Sequence, residues 1–235
     1  ETARFQGFEG LRWPKMTDPT GNDSPSGVGS FLIWQQPHFI YFAELCFRHH
    51  KNVATLQKYA DLVFETAEFM ASYAHYDDAN DRYILGPALI PAQECFPAAT
   101  TINPPFELAY WYWGLSMAQE WRERLEIPRN PAWDKVLEKL SSPAFSDDLY
   151  LFAESAPDSY TERFTHDHPV VFGALGMLPL TPLIDTAIMH TTFNKIWQTW
   201  QWDRTWGWDF PMTAMTATRL ALPEKAVDAL LMDMT

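Results

Sequence analysis

At 235 residues the chain is long enough for one large domain or two small ones, and 47% hydrophobic content is the composition of a folded protein with a sizeable core, not of a disordered one. Seventeen basic against 30 acidic residues give a formal charge of −13, which argues against nucleic acid and acidic membranes as partners; the longest apolar run, roughly 169–184, is interrupted by Pro179 and Pro182 and makes no membrane span. Aromatic residues make up 15% of the chain, with 11 Trp, so some rings are available for stacking against sugar faces while nearby amides and carboxylates take the hydroxyls; a Trp-rich core has the same composition.

Residues 1–35 are rich in turn formers, from Asp18-Pro19-Thr20-Gly21 to Ser24-Pro25-Ser26-Gly27, and read as a long surface or mouth loop. Pro37 then opens a helix, His38 to Phe47, that is apolar on nearly every side; proline suits a first helical position because its missing N–H would be unpaired there. Val53, Leu56, Ala60, Val63, Ala67, Met70 and Ala74 recur at three and four, with Lys58, Asp61, Glu65 and Glu68 opposite, which predicts an outer amphipathic helix. Tyr76 to Leu85, around Asp77-Asp78-Ala79-Asn80-Asp81, reads as a small β-hairpin. A loop follows in which Glu94 stands among Cys95, Phe96 and Pro97. From Pro104 to about Arg124 comes a second helix, apolar all round its first three turns through Phe106, Leu108, Tyr110, Trp111, Trp113 and Leu115, which must be buried. After Asn130-Pro131, Trp133, Val136, Leu137 and Leu140 mark an amphipathic helix.

The pattern repeats. A strand-like Leu149-Tyr150-Leu151-Phe152 leads through His166-Asp167-His168 to Pro169 and an apolar helix, Val170 to Leu178, followed by a polar-faced helix from Pro182 to about Trp200. The loop from Gln201 to Phe210 precedes Pro211 and a helix to Leu220, and Pro223 opens a last helix with Val227, Leu230, Leu231 and Met234 on one face. Four helical hairpins therefore alternate a buried and an outer helix, the buried ones starting at Pro37, Pro104, Pro169 and Pro211. Long polar and aromatic loops precede the inner helices only. In a closed ring the inner helices run parallel, so those loops and the positive helix ends would share one mouth.

Glu94 is the leading candidate for catalysis, because burial among its apolar neighbours would raise its pKa toward what a proton donor needs; capping a helix or pairing with an arginine is the plainer alternative. Glu107, in the first turn after Pro104, competes for the same role or completes a capping arrangement with Asn103. Asp209 before Pro211 is a second carboxylate, a sugar contact or an N-cap. Trp34 offers a stacking platform, Gln35, Gln36 and His38 hydroxyl partners, and Asp167 and His168 further sugar contacts, as do Trp206 and Trp208 around Gly207. His166 and His168 lack the companions of a zinc site, nothing resembles a phosphate-binding glycine loop or a Gly-x-Ser-x-Gly elbow, and no metal or cofactor is expected. Cys46 and Cys95 show no disulfide framework and read as buried thiols.

Four stretches carry a resemblance: Phe31-Leu32-Ile33-Trp34-Gln35-Gln36-Pro37-His38; the run from Gly86-Pro87 to Asn103-Pro104-Pro105-Phe106-Glu107-Leu108-Ala109-Tyr110-Trp111; Asp167-His168-Pro169; and Trp206-Gly207-Trp208-Asp209-Phe210-Pro211. Together they resemble the six-hairpin, (α/α)6-barrel glycosidases, bacterial proteins similar to glycoside hydrolase families 65 and 95 above all, over essentially the whole chain. The resemblance implies an all-α toroid of helical hairpins with a small β-hairpin near 76–86. About eight of its twelve helices are read here, so residues 1–235 would form a single, incomplete catalytic domain with 1–35 as lead-in, completed by flanking sequence or another chain. It implies Glu94 as general acid, with Gly86-Pro87 upstream, further away than in the family's tight Gly-Pro-Asp-Glu run, and Asn103 at the following helix start as a substrate contact. The activity implied is inverting cleavage of a glycosidic bond in a carbohydrate substrate, with phosphorolysis open because phosphate replaces the attacking water in some family 65 members. A sugar epimerase or polysaccharide lyase using His168 or Tyr110 as base, and a non-catalytic carbohydrate-binding relative, are the alternatives. Localisation stays open between cytoplasmic, periplasmic and secreted.

Overall fold

A computed structural model describes residues 2–232; Met234, expected on the last helix, lies outside the described residues. The chain divides into two compact units, one taking in the chain to Leu85 with Tyr110–Ser141, the other Gly86–Ala109 with the chain from Ser142 onward. Among the described residues no helix is long and apolar enough to cross a membrane.

The first unit contains α1 (Thr2–Phe5), a 3-10 turn (Gly29–Phe31), α2 (His38–His50), α3 (Val53–Tyr73), an antiparallel hairpin of β1 (His75–Asp77) and β2 (Arg82–Ile84), all but the start of α4 (Pro105–Arg124), and α5 (Pro131–Lys139). The starts of α3 and α5 follow from sequence: the side chain of Asn52 accepts the Thr55 N–H, and that of Asn130 accepts the Ala132 and Trp133 N–H groups ahead of Pro131 in the first turn. Tyr76 faces Tyr83 across the hairpin. Helix α3 packs on α2 and α5, burying Leu56, Val63, Ala67 and Met70, while Trp111, Trp121 and Trp133 are fully enclosed. Each such side chain contributes about 1.5–3 kcal/mol by leaving water.

One expectation fails here. Helix α2 is not buried all round, since Ile40, Ala43 and Glu44 are inside while Phe42 and Leu45 are 53% and 45% exposed. Within its unit α2 has α3 along one side, so an apolar stripe is left in water. The buried Glu44 is instead satisfied by charge: its carboxylate accepts Trp121 Nε1–H at 2.9 Å, Arg124 Nη1–H at 2.6 Å and Arg48 Nε–H at 2.8 Å. Burial pushes its pKa up, but these donors outweigh burial and hold it below the ordinary carboxylate value.

The second unit contains the start of α4, a short antiparallel pair β3 (Phe145–Ser146) and β4 (Leu149–Tyr150), a 3-10 turn (Val170–Phe172) running into α6 (Gly173–Gly176), α7 (Thr186–Thr199), a 3-10 turn (Trp202–Arg204), α8 (Asp209–Arg219) and α9 (Pro223–Leu231). The apolar helix expected over 170–178 is thus a 3-10 turn and a single α turn, because Gly173, Gly176 and Pro179 withhold helical stability from so short a segment. Helix α7 starts at Thr186, not Pro182, where the Asp185 carboxylate accepts the Ala187 and Ile188 N–H groups. Helix α8 starts two residues before Pro211, which sits harmlessly in its first turn.

Close backbone approach sets the packing of these inner segments. Helix α6 lies on α8 and α8 on α9. A Cβ on Gly176 would stand 2.3 Å from Thr216 Oγ1 and 3.0 Å from Met212 O, and one on Gly173 would stand 2.9 Å from the Phe106 ring. Gly176→Ala should therefore lower stability by about 1–3 kcal/mol through overpacking, read as a lower urea midpoint at unchanged slope; an unshifted midpoint would show that α6 and α8 are not in tight contact.

Candidate active site

The loop bearing Glu94 is folded onto itself before α4 begins. Gly86, at φ +84, lies where an added Cβ would be 2.5 Å from Thr101 O, so the two ends of the loop meet at a glycine. Leu89 N–H donates to Ala98 O at 3.0 Å across the same loop. Asn103 takes a left-handed conformation (φ 52), is fully buried and donates from Nδ2 to Glu154 Oε2 at 2.7 Å, while Glu154 N–H donates to Ile102 O. Four residues later Glu107, 1% exposed, accepts the Ala92 N–H at 2.7 Å on Oε1, and its Oε2 has no hydrogen-bond partner among the described residues. Burial pushes the Glu107 carboxyl up to about 7.

Glu94 itself is half-buried, not enclosed as its neighbours in sequence imply. Its N–H donates to Asp167 Oδ2 at 2.8 Å, and the neighbouring Gln93 side chain donates to Phe164 O at 2.5 Å. The rings of Phe96 and Phe164 stack at 4.4 Å alongside. Asp167, in the left-handed region at φ 64, accepts Trp206 Nε1–H on its other oxygen at 3.2 Å. Next to it, His168 places Nδ1 at 2.9 and 3.1 Å from the two oxygens of Asp209 and Nε2 at 3.5 Å from Asp167 Oδ1. Asp209 is completely buried and also accepts the Trp206 N–H at 2.8 Å, so it is the first residue of α8, with Trp208 in the N-cap position. Asp209 thus holds Nδ1 and fixes the orientation of the imidazole, while Nε2 faces Asp167. The Trp208 ring lies 4.2 Å from the imidazole, and Trp206 and Trp208 remain 62% and 40% exposed.

Three of the four loops that the sequence sets before inner helices thus converge in the second unit, through Glu94, Asp167, His168, Trp206, Trp208 and Asp209. The fourth belongs to the first unit. There Gln36, fully buried, accepts the Trp13 N–H at 2.7 Å and donates to Trp13 O at 2.6 Å, and Gln35 donates to Trp13 O at 3.1 Å. The Trp34 indole N–H and Gln35 Oε1 are buried without hydrogen-bond partners among the described residues. His38 Nδ1 lies 2.9 Å from the Tyr110 hydroxyl, and burial pulls His38 down to about 4, so it is neutral at neutral pH.

Neither a protein-family model nor a curated protein matches the sequence. Among solved structures, one titled "Putative kojibiose phosphorylase from human microbiome" superposes on 97% of this chain with a TM-score of 0.69 at 11% identity. The chain has the six-hairpin glycosidase fold. It is all-α, built of helical hairpins of the (α/α) type, and spans 38% of the length of that solved chain.

Within this six-hairpin piece, Gln93, Glu154 and Trp13 are the site-shaping residues that the sequence reading passed over. Gln93 abuts Glu94, but nothing in a linear pattern announces that its amide will be spent on carbonyls more than 70 residues away. Cys46 and Cys95 are free and half-buried, not enclosed, and burial pushes the Cys95 thiol up to about 12, so it stays protonated beside Glu94.

Glu107 makes a pH-dependent contribution whose sign is fixed by its raised pKa. Its proton is held more tightly in the folded than the unfolded chain, so its stabilisation is fully present below about pH 4.5 and is lost as pH rises through about 7. The change is about 3 kcal/mol across that window. In Glu107→Gln the amide oxygen still accepts from Ala92 and nothing titrates; the difference in unfolding free energy between wild type and variant should swing by that amount from pH 4.5 to 8 in urea titrations. Parallel pH curves would place Glu107 in an ordinary carboxylate environment.

Proposed function

We propose that this chain is the larger part of one catalytic domain that cleaves a glycosidic bond, with Glu94 donating a proton to the departing sugar oxygen. The observation that carries this reading is the Asp167 bridge. One carboxylate accepts the backbone N–H of Glu94 and the indole N–H of Trp206, which sets a half-buried acid beside exposed tryptophans and an oriented imidazole. Trp206 and Trp208 supply faces for a pyranose ring, and Asp167 and His168 Nε2 supply hydroxyl partners. Glu107 and Asp209 are assigned to positioning. Glu107 is enclosed and engaged with Ala92 under the Glu94 loop, and both oxygens of Asp209 are taken up by His168 and the Trp206 N–H, so neither is free to touch substrate.

Water is the proposed acceptor, with inversion at the sugar carbon and with the group that activates the water assigned to the remainder of the ring. Two carboxylates flank His168, an environment that repels a phosphate dianion and favours a neutral nucleophile. A second reading has one specific observation behind it. His168 held through Nδ1 by a buried carboxylate is arranged as a base, as a sugar epimerase or polysaccharide lyase would need.

These readings part cleanly on the intact protein. Glu94→Gln should lower kcat by about 10²–10⁴-fold on glycosides with poor leaving groups and far less on glycosyl fluorides, whose departure needs no proton. Product formation should be the same in phosphate-free and phosphate-containing buffer. Full activity in Glu94→Gln sinks the assignment, activity lost in His168→Ala but kept in Glu94→Gln establishes the second reading, and strict dependence on phosphate replaces hydrolysis by phosphorolysis.

A further inference from the structure

The second unit holds a buried ionisable group that the proposed bond cleavage does not consume. Glu107 lies in the first turn of α4, 1% exposed, under the loop that carries Glu94. That loop is enclosed almost everywhere except at Glu94 itself. Leu89, Ile90, Ala92, Gln93 and Phe96 are each 7% exposed or less, whereas Glu94 is half-buried. The Leu89 N–H donates to Ala98 O at 3.0 Å to close the loop, Gln93 Nε2–H donates to Phe164 O at 2.5 Å, and the Glu94 N–H donates to Asp167 Oδ2 at 2.8 Å. The tether from α4 is the remaining one: Glu107 Oε1 accepts the Ala92 N–H at 2.7 Å, two residues before Glu94.

The strength of that tether depends on one proton. As the neutral acid, protonated on Oε2, Glu107 keeps the Ala92 contact and leaves only a hydroxyl unpaired. As the anion it would bury a full charge against backbone N–H groups, without the guanidinium groups of Arg48 and Arg124 and the Trp121 indole that meet the charge of Glu44. Burial accordingly pushes the Glu107 carboxyl up to about 7, opposed by the N–H groups of Ala92 and of Glu107 itself. The charged and titratable groups on the surrounding segments are Glu94 and Cys95 beside Ala92, Glu154 at Asn103, Arg163, Asp167 and His168 on the segment that accepts from Gln93 and Glu94, and Asp209 at the start of α8. None of them is among the causes of the displacement. The 3-10 turn and α6, whose Gly173 meets the Phe106 ring, carry no titratable side chain. Once Glu107 ionises, its charge is solvated either by water entering under the loop or by the side chain leaving Ala92, and either change loosens the backbone next to Glu94.

We propose that Glu107 is a proton-operated latch: as the neutral acid it holds Ala92 and so keeps Glu94 on Asp167, and as the carboxylate it releases the loop, so that the alkaline limit of activity is set by a residue that never touches substrate. The effect on activity rests on the reading of Glu94 as the general acid; the latch itself does not.

The test reads the loop directly and then the reaction, on the intact protein. Amide hydrogen exchange followed by mass spectrometry on a peptide spanning 88–98, corrected for the intrinsic pH dependence of exchange, should show protection falling about tenfold from pH 6 to pH 8 in the wild type. The fall should be absent in Glu107→Gln and in a peptide from α3, and it should persist in Glu94→Gln. With kojibiose and maltose as probe substrates, kcat/KM should drop about tenfold over the same range in the wild type and run flat in Glu107→Gln. Constant protection of the wild-type loop overturns the latch. So does a fall that survives Glu107→Gln or vanishes in Glu94→Gln, because another group would then be titrating, and so does an alkaline limb of kcat/KM that Glu107→Gln leaves in place. The wild-type exchange profile needs no variant, so it decides the matter even where Glu107→Gln fails to fold. It also needs no turnover: a loop that loosens as expected in a protein that cleaves neither sugar keeps the latch and counts against the catalytic reading alone.

Discussion

The second unit is organised about the carboxylate of Asp167, which accepts one hydrogen bond from the Glu94 backbone and another from the Trp206 indole. The Glu94 N–H is part-buried and could not be left unpaired without a cost of about 1–3 kcal/mol, and the two contacts together link a candidate acid to an exposed tryptophan. Asp167 holds this position in a left-handed backbone conformation that a short polar side chain tolerates better than most. Its neighbour His168 is then locked from the other side by Asp209, whose complete burial at the start of α8 is supported by the imidazole, by the Trp206 N–H and by the positive end of the helix.

Buried carboxylates recur in the two units with opposite electrostatic outcomes. Glu44 is surrounded by two guanidinium groups and an indole N–H and stays ionised below the usual range, whereas Glu107 has one backbone donor, an oxygen without any partner, and a pKa near neutrality. Burial acts on both; the difference lies in how many donors the surroundings supply. The first arrangement ties α4 to α2 as structure. The second keeps a loop in place with a group that is neutral in mildly acidic solution and strained toward charge above it.

A comparable division of labour marks the amides. Gln36 and Gln93 have the residue type expected of sugar contacts, yet their donors and acceptors are used on the protein's own backbone, holding Trp13 and the segment around Phe164. Amides of this kind shape a site by restricting its walls. Gln35 differs in having one buried oxygen without a hydrogen-bond partner among the described residues.

The sequence by itself determined the all-α class, a hairpin near 76–86 and the alternation of helices. These follow from local signals: apolar spacing at three and four, asparagine caps before α3 and α5, and prolines in first turns, each acting within a few residues. What the tertiary structure alone decided is the environment of each candidate. Glu94 and Glu107 sit 13 positions apart with similar apolar neighbours in the chain, yet one is half open and tied to Asp167 while the other is enclosed with its pKa displaced. The apolar stripe of α2, with Phe42 and Leu45 in water, escaped the pattern for the same reason. Periodicity reports which residues can be buried; which of them are buried, and which donors meet a carboxylate once it is inside, depends on segments brought together from more than 70 residues away.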